Sequence, residues 1–186
     1  MATKTENNTK ETAVVPAGTW KSDPIHSHAG FAVKHTAATF RGDFKEFEAV
    51  LSNEDGEPSL HGSVEVESVD VRDENLSAHL LSPDFFDAER HPRIGFESTA
   101  VRADGDELVV EGELELKGSK RTVEARGEIS EPVAGPDGND RIGLDLETKV
   151  DRTDYGLDWQ AELPDGGAVL GDDVTISVHL ELVKEG

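Results

Sequence analysis

The chain contains no cysteine, which removes disulfides, thiolate nucleophiles and thiolate-ligated metals from its chemistry. Positive charge is also scarce, with 18 basic residues against 40 acidic ones and a formal net charge of -22. Affinity for a phosphate backbone comes from lysines and arginines that release counterions, so nucleic acid is not an expected partner. A basic patch for an anionic membrane surface is missing for the same reason. The acidity fits solvation and mutual repulsion between copies, and adaptation to high salt is a sharper form of that reading. No run approaches the roughly 20 apolar residues that span a bilayer, so stable membrane insertion is not expected. The leader MATKTENNTKETAVVPAG lacks the apolar run of roughly 7–15 residues that marks a secretory signal, and the expected location is the cytoplasm.

At 186 residues the chain is long enough for one domain that buries roughly 68–70% of its unfolded surface. Residues 1–17 are polar and without periodicity and are expected to form a flexible tail. The ordered domain is expected over 18–186, beginning at Gly18-Thr19-Trp20.

From there the pattern is that of strands. Odd positions from Ala29 through Phe31, Val33, His35 and Ala37 to Thr39 form one mostly apolar face. Phe44, Phe47 and Ala49-Val50-Leu51 continue beyond a bend at Gly42, and Asn53 to Pro58 is turn chemistry. Val64 and Val66 alternate with Glu65 and Glu67, and the parity then changes, so a bulge or a strand end is expected near Ser68. Asp73 to Leu81 reads as a short helix capped by Asp73, with Leu76, His79 and Leu80 on one face.

The rest alternates with period two. Leu108, Val110, Gly112, Leu114 and Leu116 oppose Glu111, Glu113 and Glu115, and similar rows run through Val123–Ile129, Ile142–Thr148 and Val174–Leu182. Asp104-Gly105 and Lys117-Gly118 mark hairpins. About eight short strands at hairpin spacing imply a sandwich or a barrel, and a barrel removes the exposed edges. The expected fold class is therefore all-β, an eight-stranded antiparallel barrel with a short helix near one end. Such a barrel has interior space for its own side chains or one slender ligand. Gly112 and Gly127 fall at inward positions and either leave space inside or mark a strand bend.

Seven histidines raise the question of a metal-assisted hydrolase. His26 and His28 share a strand face, whereas His35 has the opposite parity, and only Asp23 lies nearby in sequence as a supporting carboxylate. No metal and no catalytic residues are assigned on that basis. His35 on an apolar wall is either a core histidine satisfied locally or a hydrogen-bond partner for a ligand's polar end, and His79 on the helix has the same two readings. His61 falls in register with Glu65 and Glu67, and His179 alternates against Val178 and Leu180, so both are expected to face outward. Ser27 beside two histidines lacks a GxSxG elbow. Phe31, Phe44, Phe47, Phe85, Phe86 and Phe96 serve as core or as ligand wall, and Trp159 belongs near a barrel end.

Four passages carry a resemblance to a known family: DPIHSHAGFAVKH from Asp23 to His35, SPDFFDAERHP after the helix, DRTDYGLDWQ from Asp151 to Gln160, and GGAVLGDDVTISVHLEL from Gly166 to Leu182. They resemble the YceI-like proteins, lipocalin-like barrels that hold polyisoprenoids or other long lipids. The resemblance implies a lipocalin-like barrel, no enzyme activity, no catalytic cofactor, and a long lipophilic small molecule as partner: a polyisoprenoid, an isoprenoid quinone or a fatty-acid-like chain. Together with the inward parity it nominates Phe31, Val33, His35, Phe44, His79, Phe85, Phe86, Phe96, Val110, Leu114, Leu144 and Trp159 as ligand-binding residues. Relatives often pair, so a homodimer is a further partner to test for. The alternatives are the hydrolase or a stress-response or interaction module with a solid core.

Overall fold

The computed structural model describes residues 13–186. Its strands are β1 (Gly18–Ser22), β2 (His28–His35), β3 (Ala38–Phe44), β4 (Phe47–Glu54), β5 (Glu57–Glu65), β6 (Val69–Asp70), β7 (Arg93–Asp104), β8 (Glu107–Leu116), β9 (Ser119–Ile129), β10 (Val133–Ala134), β11 (Asp140–Asp151) and β12 (Leu170–Lys184), with one helix, α1 (Glu74–Leu81). All their pairings are antiparallel. The ring β1-β4-β5-β7-β8-β9-β11-β12 closes on itself through the β11–β12 and β1–β12 ladders. The expected eight-stranded barrel is thus the fold.

Three of its eight long strands are interrupted. β12 pairs with β1 near its end and with β2 over Leu170–His179, so β1 and β2 are two pieces of one strand. β3 with β4, and β5 with β6, are split in the same way. Pro24 has no N–H to give a ladder, and the Asp23 carboxylate accepts from the Ile25 amide to turn the chain there. Ser27 then restores the lost pairing with its side chain, since its Oγ accepts from the Glu181 amide at 3.0 Å. The parity change near Ser68 is a 3-10 turn, Val66–Ser68, between β5 and β6.

The first strand differs from its sequence reading. The row from Ala29 to Thr39 is two strands, β2 and β3, joined by a hairpin at Thr36-Ala37 in which His35 faces Ala38 and Thr36 takes φ +51°. No glycine, asparagine or aspartate announces that turn. The loops Asp55-Gly56 and Lys117-Gly118, by contrast, put both residues at positive φ, as tight hairpins of this twist require.

The tail also differs in extent. Residues 1–12 of the expected tail lie outside the described residues. Residues 13–17 lie against the barrel: the Ala13 amide donates to the Gly105 carbonyl, the Asn53 side chain donates to the Val15 carbonyl, and the Trp20 indole donates to the Pro16 carbonyl.

Inside the barrel are two apolar clusters. One surrounds Trp20, with Leu51, Leu108, Val110, Ile142, Leu144 and Leu182 at 0–1% exposure. The other gathers residues of β2, β3, β6 and α1 with the Phe85-Phe86 segment, Leu114, Leu116, Val150 and Leu170. α1 and its trailing turns plug this second end. Asp73 caps the helix by accepting from the Leu76 amide, and Leu80 is its buried residue. The chain then doubles back, with the Phe86 and Ala88 amides donating to the Leu80 and Leu81 carbonyls.

Candidate functional site: an apolar cavity at one end of the barrel

The second cluster is not packed solid. It borders a partly open cavity of about 600 Å³ whose floor is formed by Leu60, Ala125, Leu146 and Leu180 and whose walls carry Phe31, Val33, Ile94, Leu114, Val174 and Ile176. The volume is in the range of small-molecule sites. Helix α1 contributes Leu76, His79 and Leu80 to it, and the following turn contributes Phe85 and Phe86. A wholly filled interior, one of the alternatives, is set aside by this space.

The aromatic rings border the cavity instead of filling it. Phe31, Phe44 and Phe86 pack mutually with centroids 5.8–6.2 Å apart, at edge-on to tilted angles. On another side His79 meets Phe85 and Trp159 edge to face at 4.9 and 5.2 Å, and its Nε2 lies 3.1 Å from an Asp84 carboxylate oxygen. Trp159 is held there by Arg152, 4% exposed, whose guanidinium donates to the carbonyls of Leu157, Trp159 and Gly171 and to the Asp172 carboxylate. Among the described residues Arg152 is the one arginine or lysine of the lining, and three carbonyls plus a carboxylate already occupy its fork.

Ten of the twelve nominated residues line this cavity: Phe31, Val33, His35, Phe44, His79, Phe85, Phe86, Phe96, Leu114 and Trp159. His35 stands at the rim, at the exposed end of β2, and not in the core. Val110 and Leu144 do not reach it. Both are fully buried in the Trp20 cluster, because inward parity fixes which side of the wall a residue takes but not its depth along the barrel. Gly112 and Gly127 provide no internal space either. A Cβ on Gly112 would lie 2.4 Å from the Glu97 carbonyl beside the bulge at Ser98–Ala100, and one on Gly127 would lie 1.7 Å from the Asp145 carbonyl. These glycines permit close backbone approach between strands.

Sequence reasoning missed Thr148 and Arg152, the wall residues Val174 and Ile176, and the glycines Gly62 and Gly95. Val174 and Ile176 were legible, since they stand in the inward row of the last strand. The glycines were not, because their place depends on the pairing of Gly62 with Phe96 and of Ser63 with Gly95.

Outside the barrel, Asp23, His26 and Glu181 bring ligand-type atoms within 4.8 Å of one another. A cation already occupies that cluster: the Arg141 guanidinium lies 2.9 Å from Asp23 and 3.4 Å from Glu181. His26 and Arg141 together hold the Asp23 carboxyl well below the usual carboxylate range, and Asp23 in turn raises the His26 imidazole.

Comparison with known proteins agrees with this geometry. The model of the YceI-like domain matches residues 20–182. Protein YceI of Escherichia coli O157:H7 is 28% identical over 136 residues, which is 71% of each chain. Among solved structures, BcnA of Burkholderia cenocepacia superposes with a TM-score of 0.73 at 23% identity, covering 88% of this chain and 99% of that one. A polyisoprenoid binding domain from Saccharophagus degradans, implicated in plant cell wall breakdown, has a TM-score of 0.65 at 12% identity, with 91% and 100% covered. With its family model spanning nearly the whole barrel, the chain belongs to the YceI-like family.

Proposed function

We propose that the barrel binds, sequesters or carries one long lipophilic molecule, such as a polyisoprenoid, an isoprenoid quinone or a fatty-acid-like chain, without covalent chemistry. The observation that carries this reading is the apolar cavity of about 600 Å³ beneath helix α1. A hydrocarbon chain gains about 0.8 kcal/mol for each methylene it shelters, so roughly ten methylenes supply about 8 kcal/mol before ordering costs are subtracted. That is enough for useful affinity without a charged clamp, which accords with an Arg152 fork already committed to the protein's own carbonyls. Membership of a family with a polyisoprenoid-binding neighbour supports the ligand class. Binding alone accounts for the site, and no catalytic role is assigned to any residue.

Native mass spectrometry and solvent extraction of the purified protein test the proposal. The expected result is one long lipid per chain, or uptake of an added isoprenoid alcohol that is lost in Val174→Phe. Protein that carries no lipid and takes up neither an isoprenoid nor a fatty acid would overturn it.

A further inference from the structure

The outer wall holds a second feature, independent of what fills the cavity. His28 on β2 and His179 on β12 are directly paired across the ladder, and their ring centroids lie 6.0 Å apart. Both are exposed, and each is oriented by a carboxylate on a different neighbouring strand. His28 Nε2 is 2.7 Å from an Asp43 oxygen on β3, and His179 Nδ1 is 2.9 Å from an Asp145 oxygen on β11. A carboxylate only accepts, so the ring nitrogen that faces it carries the hydrogen. In the neutral imidazole the other nitrogen then offers a lone pair. For this pair those are Nδ1 of His28 and Nε2 of His179.

We infer that His28 and His179 form a binding site for a late divalent transition-metal ion, of the zinc or copper class, on the outer face of the β2–β12 seam. Imidazole suits these ions, and a carboxylate behind each histidine fixes the ligating tautomer and raises ligand basicity. The ring centroids are 6.0 Å apart, a span that one ion with metal–nitrogen distances of roughly 2 Å bridges once the two free nitrogens turn toward each other, with water completing the shell. Gly30 gives the arrangement its space: a Cβ there would stand 2.8 Å from the Asp43 oxygen and 3.1 Å from the His28 ring. The Asp23, His26 and Glu181 cluster nearby is the poorer candidate, because an ion there would have to displace Arg141. An ion at the histidine pair would staple the first long strand to the last.

The test uses tag-free protein titrated with Zn2+ by calorimetry and with Cu2+ by electron paramagnetic resonance. The wild-type chain and His26→Ala are expected to bind one ion, with two nitrogens coupled to Cu2+ and a rise in Tm as metal is added. His28→Ala and His179→Ala, which keep the other histidines, should each lose at least about tenfold in affinity and one coupled nitrogen. Asp43→Asn and Asp145→Asn should weaken binding by about 10–100-fold. Affinity unchanged in His28→Ala and His179→Ala, or lost only in His26→Ala, overturns the assignment. Lipid uptake should be the same in all of these variants.

Discussion

The two ends of the barrel are built from the same strands by the same alternation, yet one is solid and the other hollow. On β8, Leu108 and Val110 are sealed around Trp20, whereas Leu114 and Leu116, about 20 Å further along, border open space. β11 and β12 divide likewise: Ile142, Leu144 and Leu182 are solid core, and Val150, Val174 and Ile176 belong to the hollow end. The difference lies in what crosses the axis. At the solid end the Trp20 side chain fills it, with residues 13–16 packed against that end. At the hollow end α1 and the Phe85-Phe86 turn cover it as a lid of mutually packed rings, and small residues such as Ala29, Ala125 and Thr148 line the space beneath. Strand pairing holds the barrel shut, so one end is free to stay empty.

The sharpest test of this contrast is truncation. Leu144→Ala should destabilise by about 3–5 kcal/mol, since a fully buried leucine leaves a cavity its tight surroundings cannot collapse. Val174→Ala should remove about 1 kcal/mol, because its side chain already faces a void. Denaturant unfolding measures both, and equal losses would break the comparison. Enlargement should invert the functional effect. Val110→Phe should destabilise by about 1–3 kcal/mol through overpacking and leave the hollow end unaltered. Val174→Phe should change stability by less than about 0.5 kcal/mol while blocking uptake of an isoprenoid probe.

This division also explains which parts of the molecule the sequence revealed. The alternation of Leu108 to Leu116 against Glu111 to Glu115 exposed the barrel, and Asp73 with Leu76 and Leu80 exposed the helix, because both signals are local. Depth along the axis is not local. Val110 and Leu114 have the same parity and chemistry, and only the register that sets Val110 against Val101 and Leu114 against Phe96 separates core from cavity. Long-range partners were equally hidden. Asp43 and Asp145 stand 15 and 34 residues from the histidines they orient. The hairpin at Thr36-Ala37 escaped notice because β-branched threonine is a poor signal for the positive φ it adopts.

The outer skin continues the contrast at smaller energies. Over the solid end of β7–β9, Arg102 bridges the facing acids Glu111 and Glu124, and Arg126 engages Asp104, Glu107 and Glu124. Over the hollow end, Glu97 faces Glu113 directly, with Glu48 and Glu115 beside them and Lys120 3.9 Å from Glu115. Like charges directly opposite are destabilising. Salt should therefore raise Tm, as the Debye length shrinks from about 10 Å at 0.1 M to about 3 Å at 1 M. Glu113→Lys should raise stability by about 0.5 kcal/mol at low salt and flatten the salt dependence, whereas Glu111→Lys, which sets a cation against Arg102, should not. A larger gain from Glu111→Lys would place the strain at the wrong end.

The smallest effect is the most diagnostic of how the solid end is pinned from outside. Asp23, at the end of β1, joins β11 through Arg141 and is flanked by His26. Its carboxyl is depressed, first by His26 and then by Arg141, so its contribution is fully present above the unfolded value of 3.8 and is lost as pH falls through the lower folded value. The His26 imidazole is raised by Asp23, so its contribution is present below the unfolded value of 6.5 and is lost as pH rises through the higher folded value. Both are therefore in force together between pH 3.8 and 6.5. His26 is largely exposed, so solvent screening keeps its share small. Asp23→Asn should lower Tm inside that window and remove both limbs of the dependence, whereas His26→Ala should remove the alkaline limb and shrink the acid one to the smaller part that Arg141 still holds. A Tm profile for Asp23→Asn that keeps the wild-type acid limb would mean that the clamp contributes nothing there, and that Trp20 and its neighbours close the solid end unaided.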